Sequence, residues 1–267
     1  MVAIQLARVL PWAKQFRVGN VNDVWRGMVL TSDLSQRPAI IKDLDQRELV
    51  NELLASVLAA QLGLPVPEAY IGIVLNTDLN VTKAPTMVGG ERMVFVSTDV
   101  MSPNLTQQIQ NVGSGLGTDL LFDNVIKWSE LGKLYAFDTW IANIDRHAGN
   151  LLIGGKSKYW LIDHGRSFTG PNWSGPSLDA GGIYVNRMFE WLTGRLSFGQ
   201  KQARAIEAAL FANLISLIDV PDAAKLSLIE LLIPADQVSA VNNFLTNRMQ
   251  HVTSHTKLAL GIPGLVP

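Results

Sequence analysis

Residues 137–168 constrain the fold of this 267-residue chain more than any other stretch. The stretch begins inside an apolar run, Leu131 to Ile141, in which leucine and aromatic residues recur at helical spacing. The run ends in a polar segment at residues 143–150, which reads Asn-Ile-Asp-Arg-His-Ala-Gly-Asn. The sequence therefore predicts a buried helix that leads directly into a cluster of polar side chains.

A β-hairpin is predicted directly after this segment. Its first strand, glycine-led turn and return strand lie at residues 151–153, 154–158 and 159–162. The return strand leads into Asp163, His164 and Gly165. Asp145, Asn150 and Asp163 are therefore predicted at the two open ends of one tight hairpin, where their side chains can converge.

Two carboxylates and an amide placed in this way suit phosphoryl transfer from a nucleotide. Asp145 would orient or deprotonate the attacking hydroxyl, while Asn150 and Asp163 would hold Mg²⁺, because hard cations prefer oxygen ligands. The spacing from Asp145 to Asn150 is the Asp-x-x-x-x-Asn of the protein-kinase catalytic loop. His164 replaces the phenylalanine of Asp-Phe-Gly, and Asp-Arg-His replaces His-Arg-Asp. Taken singly, each of these residues would more often cap a helix or end a strand.

These departures point to a particular family. Asn-x-Asp-Arg-His-x-x-Asn, followed by a hairpin and Ile-Asp-His-Gly, resembles the HipA-like kinases and, more distantly, the phosphatidylinositol 3/4-kinases. The resemblance covers roughly residues 40–168 and implies an α+β, bilobal protein-kinase-like fold. We expect a small β-rich N-terminal lobe over residues 1–98, a mainly helical C-terminal lobe over residues 99–267, and a cleft between them.

The N-terminal region contains a candidate for the lysine that binds phosphates in kinases. Three short strands are predicted before the first helix, at residues 2–6, 24–30 and 38–42. Residues 39–42 read Ala-Ile-Ile-Lys, the form of the kinase Val-Ala-Ile-Lys strand. A lysine at a strand end is usually a solvated terminus, but Lys42 directly precedes a predicted helix, which favours a role in nucleotide binding.

That helix is predicted over residues 46–62. An active kinase fold needs an acid on this helix to pair with the strand lysine. Glu48 and Glu52 are both candidates. Glu52 is preferred because Asn51-Glu52, followed by Leu-Gly-Leu-Pro-Val-Pro at residues 62–67, resembles the HipA-like pattern.

The rest of the predicted nucleotide site depends on weaker signals. No Gly-x-Gly-x-x-Gly precedes Lys42, so residues 17–23 are the candidate for the phosphate-covering loop. The same residues agree at least as well with an ordinary turn. Strands are predicted at residues 69–75 and 92–97. By position, Ser97, Thr98 and Asp99 would form the hinge that meets the adenine.

The C-terminal part is predicted to be mostly helical after a polar, glycine-rich loop at residues 102–117. A helix capped by Thr118 or Asp119 would run to residue 128, and the next would start at residues 129–130. Three more helices are predicted at residues 199–217, 222–232 and 236–260, after a Gly/Pro/Ser-rich stretch at residues 169–182. His251 and His255 have metal-binding spacing, but a solvated helix face is favoured because no third ligand follows.

Composition sets limits on partners and location. The chain is 48% hydrophobic with a net charge of −1, so neither nucleic-acid nor membrane binding is expected. It contains no cysteine, which excludes disulfides and thiolate metal sites. The most apolar region, residues 208–233, is interrupted by charges and proline, so no membrane span is expected. A cytoplasmic protein is the expectation.

Together these features predict transfer of the γ-phosphoryl group of ATP, with Mg²⁺, to a hydroxyl. Lys42, fixed by Glu52, would steady the phosphates, Arg146 and His147 would brace the loop, and His164 would pack in place of phenylalanine. The resemblance implies a protein serine or threonine as acceptor, with autophosphorylation included. A lipid kinase and an inactive nucleotide-binding scaffold are the alternatives. HipA toxins also carry an N-terminal subdomain, for which this chain looks too short, and an antitoxin-like partner is left open.

Overall fold

The computed structural model describes residues 3–16, 22–75, 77–155, 158–187 and 192–262. Strands dominate the first part of the chain and helices the second, so the fold is mixed α+β. The strands are β1 (Gln5–Val9), β2 (Lys14–Gln15), β3 (Val24–Thr31), β4 (Gln36–Lys42), β5 (Ala69–Val74), β6 (Arg92–Thr98), β7 (Leu151–Gly154) and β8 (Lys158–Leu161). The α-helices are α1 (Gln46–Gln61), α2 (Leu105–Val112), α3 (Leu116–Ile126), α4 (Leu131–Trp140), α5 (Phe198–Ile215), α6 (Val220–Leu226), α7 (Ala235–Arg248) and α8 (Val252–Ala259).

The N-terminal sheet closes on itself. Its order is β1-β5-β6-β4-β3-β2, and β1 also pairs with β3, so each of the five longer strands has a partner on both sides. The β1–β5 pairing is parallel and the others are antiparallel. Gly72 of β5 permits the close packing inside, because a Cβ there would lie 2.5 Å from a methyl carbon of Val96. A larger residue at position 72 would force the strands apart.

Helix α1 is buried along nearly its whole length. Asp45 caps its start by accepting hydrogen bonds from the N–H groups of Arg47 and Glu48. Gly63, in the left-handed region at φ 71°, follows its end. The apolar residues of α1 belong to the same hydrophobic cluster as those of α4, so α1 joins the sheet to the helical part.

Helix α4 is the centre of the helical part and packs against α5 and α8. Its large side chains are fully buried, and the Trp140 indole donates a hydrogen bond to the carbonyl of Leu245 at 3.0 Å. The hairpin β7–β8 follows α4 after a short polar segment, as predicted. Among the described residues, no helix combines the length and apolar character needed to cross a bilayer.

Several predicted boundaries are wrong. The first strand lies at Gln5–Val9 rather than residues 2–6, because Ala7 and Val9 are the side chains that the sheet buries. The predicted loop at residues 102–117 contains α2, which begins with a capping box between Asn104 and Gln107. The following helix begins after Gly115, not at Thr118 or Asp119.

The C-terminal helices also differ from the prediction in their ends. The predicted helix at residues 222–232 is α6 followed by a 3₁₀ turn, Ile229–Leu231, and the predicted helix at residues 236–260 is divided by a 3₁₀ turn at Met249–His251. The two-residue strand β2 was not predicted. The division into lobes at residues 98 and 99 stays a prediction.

Candidate active site

A cavity of about 650 Å³ lies where the sheet meets the hairpin β7–β8 and the segment after it. This volume is in the range of small-molecule sites. The residues predicted for the site all contribute to its wall: Lys42, Glu52, Ser97, Thr98, Asp99, Asp145, Asn150 and Asp163. The cavity is the structural meeting point of these side chains, which are far apart in the sequence.

Lys42 and Glu52 form a buried ion pair, as predicted. The Lys42 ammonium lies 2.6 Å from Glu52 Oε1 and 3.4 Å from Asp163 Oδ1. Burial lowers the pKa of Lys42, but the charges of Asp163 and Glu52 outweigh it and hold that pKa above its usual range. Burial raises the pKa of Glu52, but Lys42 and a hydrogen bond with His164 outweigh it and hold that pKa below its usual range. Both side chains are therefore charged at neutral pH.

Asn51, directly before Glu52, fixes the segment after Asp163. Its amide nitrogen donates to three backbone carbonyls of this segment, those of Gly165 (2.7 Å), Ser167 (3.0 Å) and Gly170 (3.2 Å). Its oxygen accepts from the Trp173 indole at 2.8 Å, and the backbone N–H of His164 donates to Glu52 Oε2 at 2.9 Å. These contacts of Asn51 were not predicted, although an asparagine inside an otherwise apolar helical stripe is a signal for a buried polar role.

The loop from Asp145 to Asn150 is braced by a buried arginine. The Arg146 guanidinium contacts Asp138 through Nε at 2.9 Å and Nη2 at 3.1 Å, and both side chains are fully buried. Its Nη1 also donates to the carbonyls of Asn150 and Ile162, at 3.1 and 2.6 Å. Arg146 therefore ties α4 to the loop and to the end of the return strand. Its partner Asp138 was not predicted.

Asp145 is 27% exposed and lies between two arginines. Arg166 Nε is 3.7 Å from its Oδ2, and Arg187 Nη1 is 3.5 Å from its Oδ1. Neither arginine was predicted as a partner of Asp145. Arg187 in particular is distant from Asp145 in the sequence. His147, whose pKa burial lowers, lies in the same loop and accepts a hydrogen bond from the N–H of Gly149.

Asn150 and Asp163 present oxygen atoms to the cavity in different ways. Asn150 is buried, and its amide nitrogen donates to the Asp145 carbonyl at 2.9 Å, which leaves its side-chain oxygen as the atom able to bind a cation. Asp163 is 52% exposed and has a left-handed backbone at φ 62°. No cluster of three or more His, Cys, Asp or Glu side chains that could hold a metal occurs among the described residues.

His164 is buried between the two parts of the site. Its ring contacts Phe137 edge-to-face at a centroid distance of 6.1 Å, and burial lowers its pKa. Its Nδ1 lies 3.7 Å from Glu52 Oε2. The side chain thus packs in the interior, as a phenylalanine would.

The predicted hinge residues line the cavity, but two of their backbone donors are already used. The N–H of Thr98 donates to Glu68 and that of Asp99 to Pro38, both at 2.9 Å. The Asp99 carboxylate pairs with Arg26 at 2.7 Å, a contact that was not predicted. The role of Ser97, Thr98 and Asp99 as a hinge stays a prediction.

Two other predicted features have a partial outcome. In the candidate phosphate-covering loop, residues 17–21 lie outside the described residues, while Asn22 lines the cavity. The rings of His251 and His255 stack at 5.2 Å and are partly exposed, so the helix face that they occupy is only partly solvated. Burial lowers the pKa of His255.

Comparison with known proteins was made at the levels of family, sequence and structure. No curated protein matches the chain. A solved structure described as a Helicobacter pylori proinflammatory kinase, CtkA, is 13% identical, with 88% of this chain and 92% of that chain covered and a TM-score of 0.47. That likeness is too remote to bear on function. The sequence profile of the HipA-like kinases matches residues 40–174, just over half of the chain, from the Lys42 strand past Trp173. The chain therefore belongs to the HipA-like kinase family.

Proposed function

We propose that the chain transfers the γ-phosphoryl group of ATP to a serine or threonine hydroxyl of a protein, with Mg²⁺ as cofactor and with itself among the acceptors. The observation that carries the proposal is the convergence of Lys42, Glu52, Asp145, Asn150 and Asp163 on one cavity. Membership of a kinase family supports the same reaction class.

Three side chains would bind the nucleotide phosphates and the metal. Lys42, held by Glu52 at 2.6 Å, would steady the phosphates as a charged ammonium. Asn150 and Asp163 would hold Mg²⁺, which usually takes one or two protein ligands together with phosphate and water oxygens. The exposed carboxylate of Asp163 and the uncommitted amide oxygen of Asn150 fit that requirement. Bound there, Mg²⁺ would neutralise charge that develops on the phosphoryl oxygens.

Asp145 would act on the acceptor. It would orient the hydroxyl and take its proton as the hydroxyl oxygen bonds to the γ-phosphorus and ADP leaves. Its partial exposure keeps it accessible to a side chain of another protein. Arg146 holds the loop and has no access to the acceptor, because it is fully buried.

An inactive nucleotide-binding scaffold is the second candidate. Each oxygen of Asp145 faces an arginine, Arg166 or Arg187, and these cations compete with a hydroxyl for the same carboxylate. Their distances of 3.7 and 3.5 Å and their exposure mark weak pairs that a substrate can displace. Transfer is therefore the preferred function.

The test is to incubate the purified chain with γ-labelled ATP and Mg²⁺, alone and with a cell lysate. We expect label on protein, with a phosphoserine or phosphothreonine product, and loss of that label in Asp145→Ala and Asp163→Ala. Asp123→Ala, which removes an exposed carboxylate on α3, is the matched control and should retain transfer.

Other outcomes would change the conclusion. Label extracted into lipid would favour the lipid-kinase alternative. Stabilisation by ATP and Mg²⁺ without transfer, absent in Asp163→Ala, would favour the scaffold. The absence of both phosphoryl transfer and stabilisation by nucleotide would refute the proposal.

A further inference from the structure

A second lysine, Lys83, contacts a residue in the wall of the proposed nucleotide site, Asn22. We propose that Lys83, held in place by Asp43, binds the terminal phosphates of the nucleotide together with Lys42. This inference rests on the proposed function and deepens it. Its starting point is a gap in the sequence, because no Gly-x-Gly-x-x-Gly precedes Lys42 to supply backbone donors to the phosphates.

Asp43 fixes the backbone of Lys83. Asp43 directly follows Lys42 and is fully buried. Its carboxylate accepts the N–H groups of three consecutive residues, Thr82 at 2.8 Å, Lys83 at 3.1 Å and Ala84 at 2.8 Å. A buried carboxylate with several backbone donors is a strong anchor. The loop before β6 is therefore fastened one residue away from the predicted phosphate lysine.

The Lys83 side chain is exposed and reaches the rim of the cavity through Asn22. Its ammonium donates to Asn22 Oδ1 at 2.6 Å, and Asn22 Nδ2 donates to Glu48 Oε2 at 3.0 Å. Asn22 and Glu48 both line the cavity. Glu48 in turn packs beside Gly165, since a Cβ on that glycine would lie 3.6 Å from Glu48 Cβ. The chain of contacts thus ends two residues from Asp163, at the predicted metal side of the site.

The charge balance at this end favours a second cation. The positive charge of Lys42 is already offset by two carboxylates, Glu52 and Asp163. Among the described residues, Lys83 has no carboxylate within ion-pair distance, and its ammonium has three donors, of which Asn22 takes one. Burial raises the pKa of Glu48, and the charges of Lys83 and Arg166 act against that rise, which places both cations near this carboxylate. A polyphosphate would find in Lys83 a positioned cation that has no direct ion pair among the described residues.

A purely structural role makes a different prediction. The Lys83–Asn22 contact is exposed, and surface contacts of this kind contribute little to stability. If the Lys83 side chain contacts only Asn22 and does not bind the nucleotide, its removal should leave nucleotide affinity unchanged. If it binds phosphate, its removal should weaken nucleotides according to the number of phosphates they carry.

The experiment is calorimetric titration of the full chain with ATP, ADP and adenosine in the presence of Mg²⁺. For Lys83→Ala we expect about tenfold weaker ATP binding, the loss of one charged hydrogen bond, a smaller loss for ADP and none for adenosine. Lys83→Arg should restore most of the affinity. Lys225→Ala, at an exposed lysine on α6, is the matched control and should equal wild type.

Lys42→Met in the same series separates the two proposals. Unchanged ATP affinity in Lys83→Ala beside a loss in Lys42→Met would overturn the role of Lys83 and leave the proposed function standing. An equal loss for ATP and adenosine in Lys83→Ala would also overturn it, because it would indicate a distorted cavity. A wild-type chain that binds no ATP would overturn both.

Discussion

Asp138→Asn should destabilise the chain strongly although it changes only one atom type. Arg146 and Asp138 are both fully buried and meet through two hydrogen bonds of 2.9 and 3.1 Å. The amide would leave the guanidinium charge unpaired in the interior, and breaking a buried pair in this way costs about 3–5 kcal/mol. At about 2–4 °C per kcal/mol for a chain near this size, the melting temperature should fall by roughly 6–20 °C.

The assay is urea unfolding monitored by circular dichroism. The free energy of unfolding is compared through the midpoint urea concentration, provided that its dependence on urea concentration (the m value) is unchanged. The double variant Asp138→Leu/Arg146→Met removes both charges and should recover much of the lost stability. It should not recover phosphoryl transfer, because the guanidinium also holds the carbonyls of Asn150 and Ile162.

Glu130→Gln is the control for this comparison, because its pair with Lys133 is partly exposed and should contribute about 0–1 kcal/mol. The reasoning would be refuted if Asp138→Asn unfolded within about 1 kcal/mol of wild type, well below the cost of a broken buried pair. It would also be refuted if the double variant were less stable than the single one.

Three further predictions concern stability. Asn51→Leu should cost roughly 2–4 kcal/mol in urea unfolding, because it removes the partner of several buried polar groups; a loss no larger than that of the exposed Asn213→Leu would contradict this. Burial raises the pKa of Tyr135 to about 12, so the unfolded chain releases this proton first and stability should fall as pH rises from about 10 to about 12. Tyr135→Phe should flatten that decline in unfolding measured across this range, and an identical decline would count against it. Gly72→Ala should lower the melting temperature, because its methyl group meets Val96, and an unchanged melting curve would show that the sheet can adjust.

The parts of the site that could be predicted have local signals. The hairpin, the strand ending in Lys42 and helix α1 each have a periodicity or spacing that short-range physics imposes. The choice of Glu52 over Glu48 agrees with the pairing in the structure, since Lys42 lies 2.6 Å from Glu52. The roles assigned to Asp145, Asn150 and Asp163 stay predictions until transfer is measured.

The parts that escaped prediction depend on distant contacts. Arg187 approaches Asp145, and Lys83 approaches Asn22, across large separations in the sequence, which no local pattern encodes. Helix α2 has three apolar residues at helical spacing, Leu105, Ile109 and Val112, but it is only eight residues long, so the stripe is short and the capping box at Asn104 marks its start. A stripe of three residues in a glycine-rich, polar surrounding is too short to be told from a loop in a single sequence.

The closed sheet also determines when the N-terminal part of the chain can fold. Strand β1 pairs with β3 and with β5, and β6 joins β5 to β4, so the ring is complete only after residues 92–98 are available. During synthesis β1 must stay unpaired on one side while β3, β4 and α1 emerge. Strand pairings between residues far apart in the sequence form slowly, because the entropy of loop closure is lost before the new contacts stabilise the chain. We therefore expect the cavity wall formed by β3, β4 and β6 to be completed late in folding. A chain in which the sheet has not yet closed exposes an unpaired strand edge, to which another chain can bind.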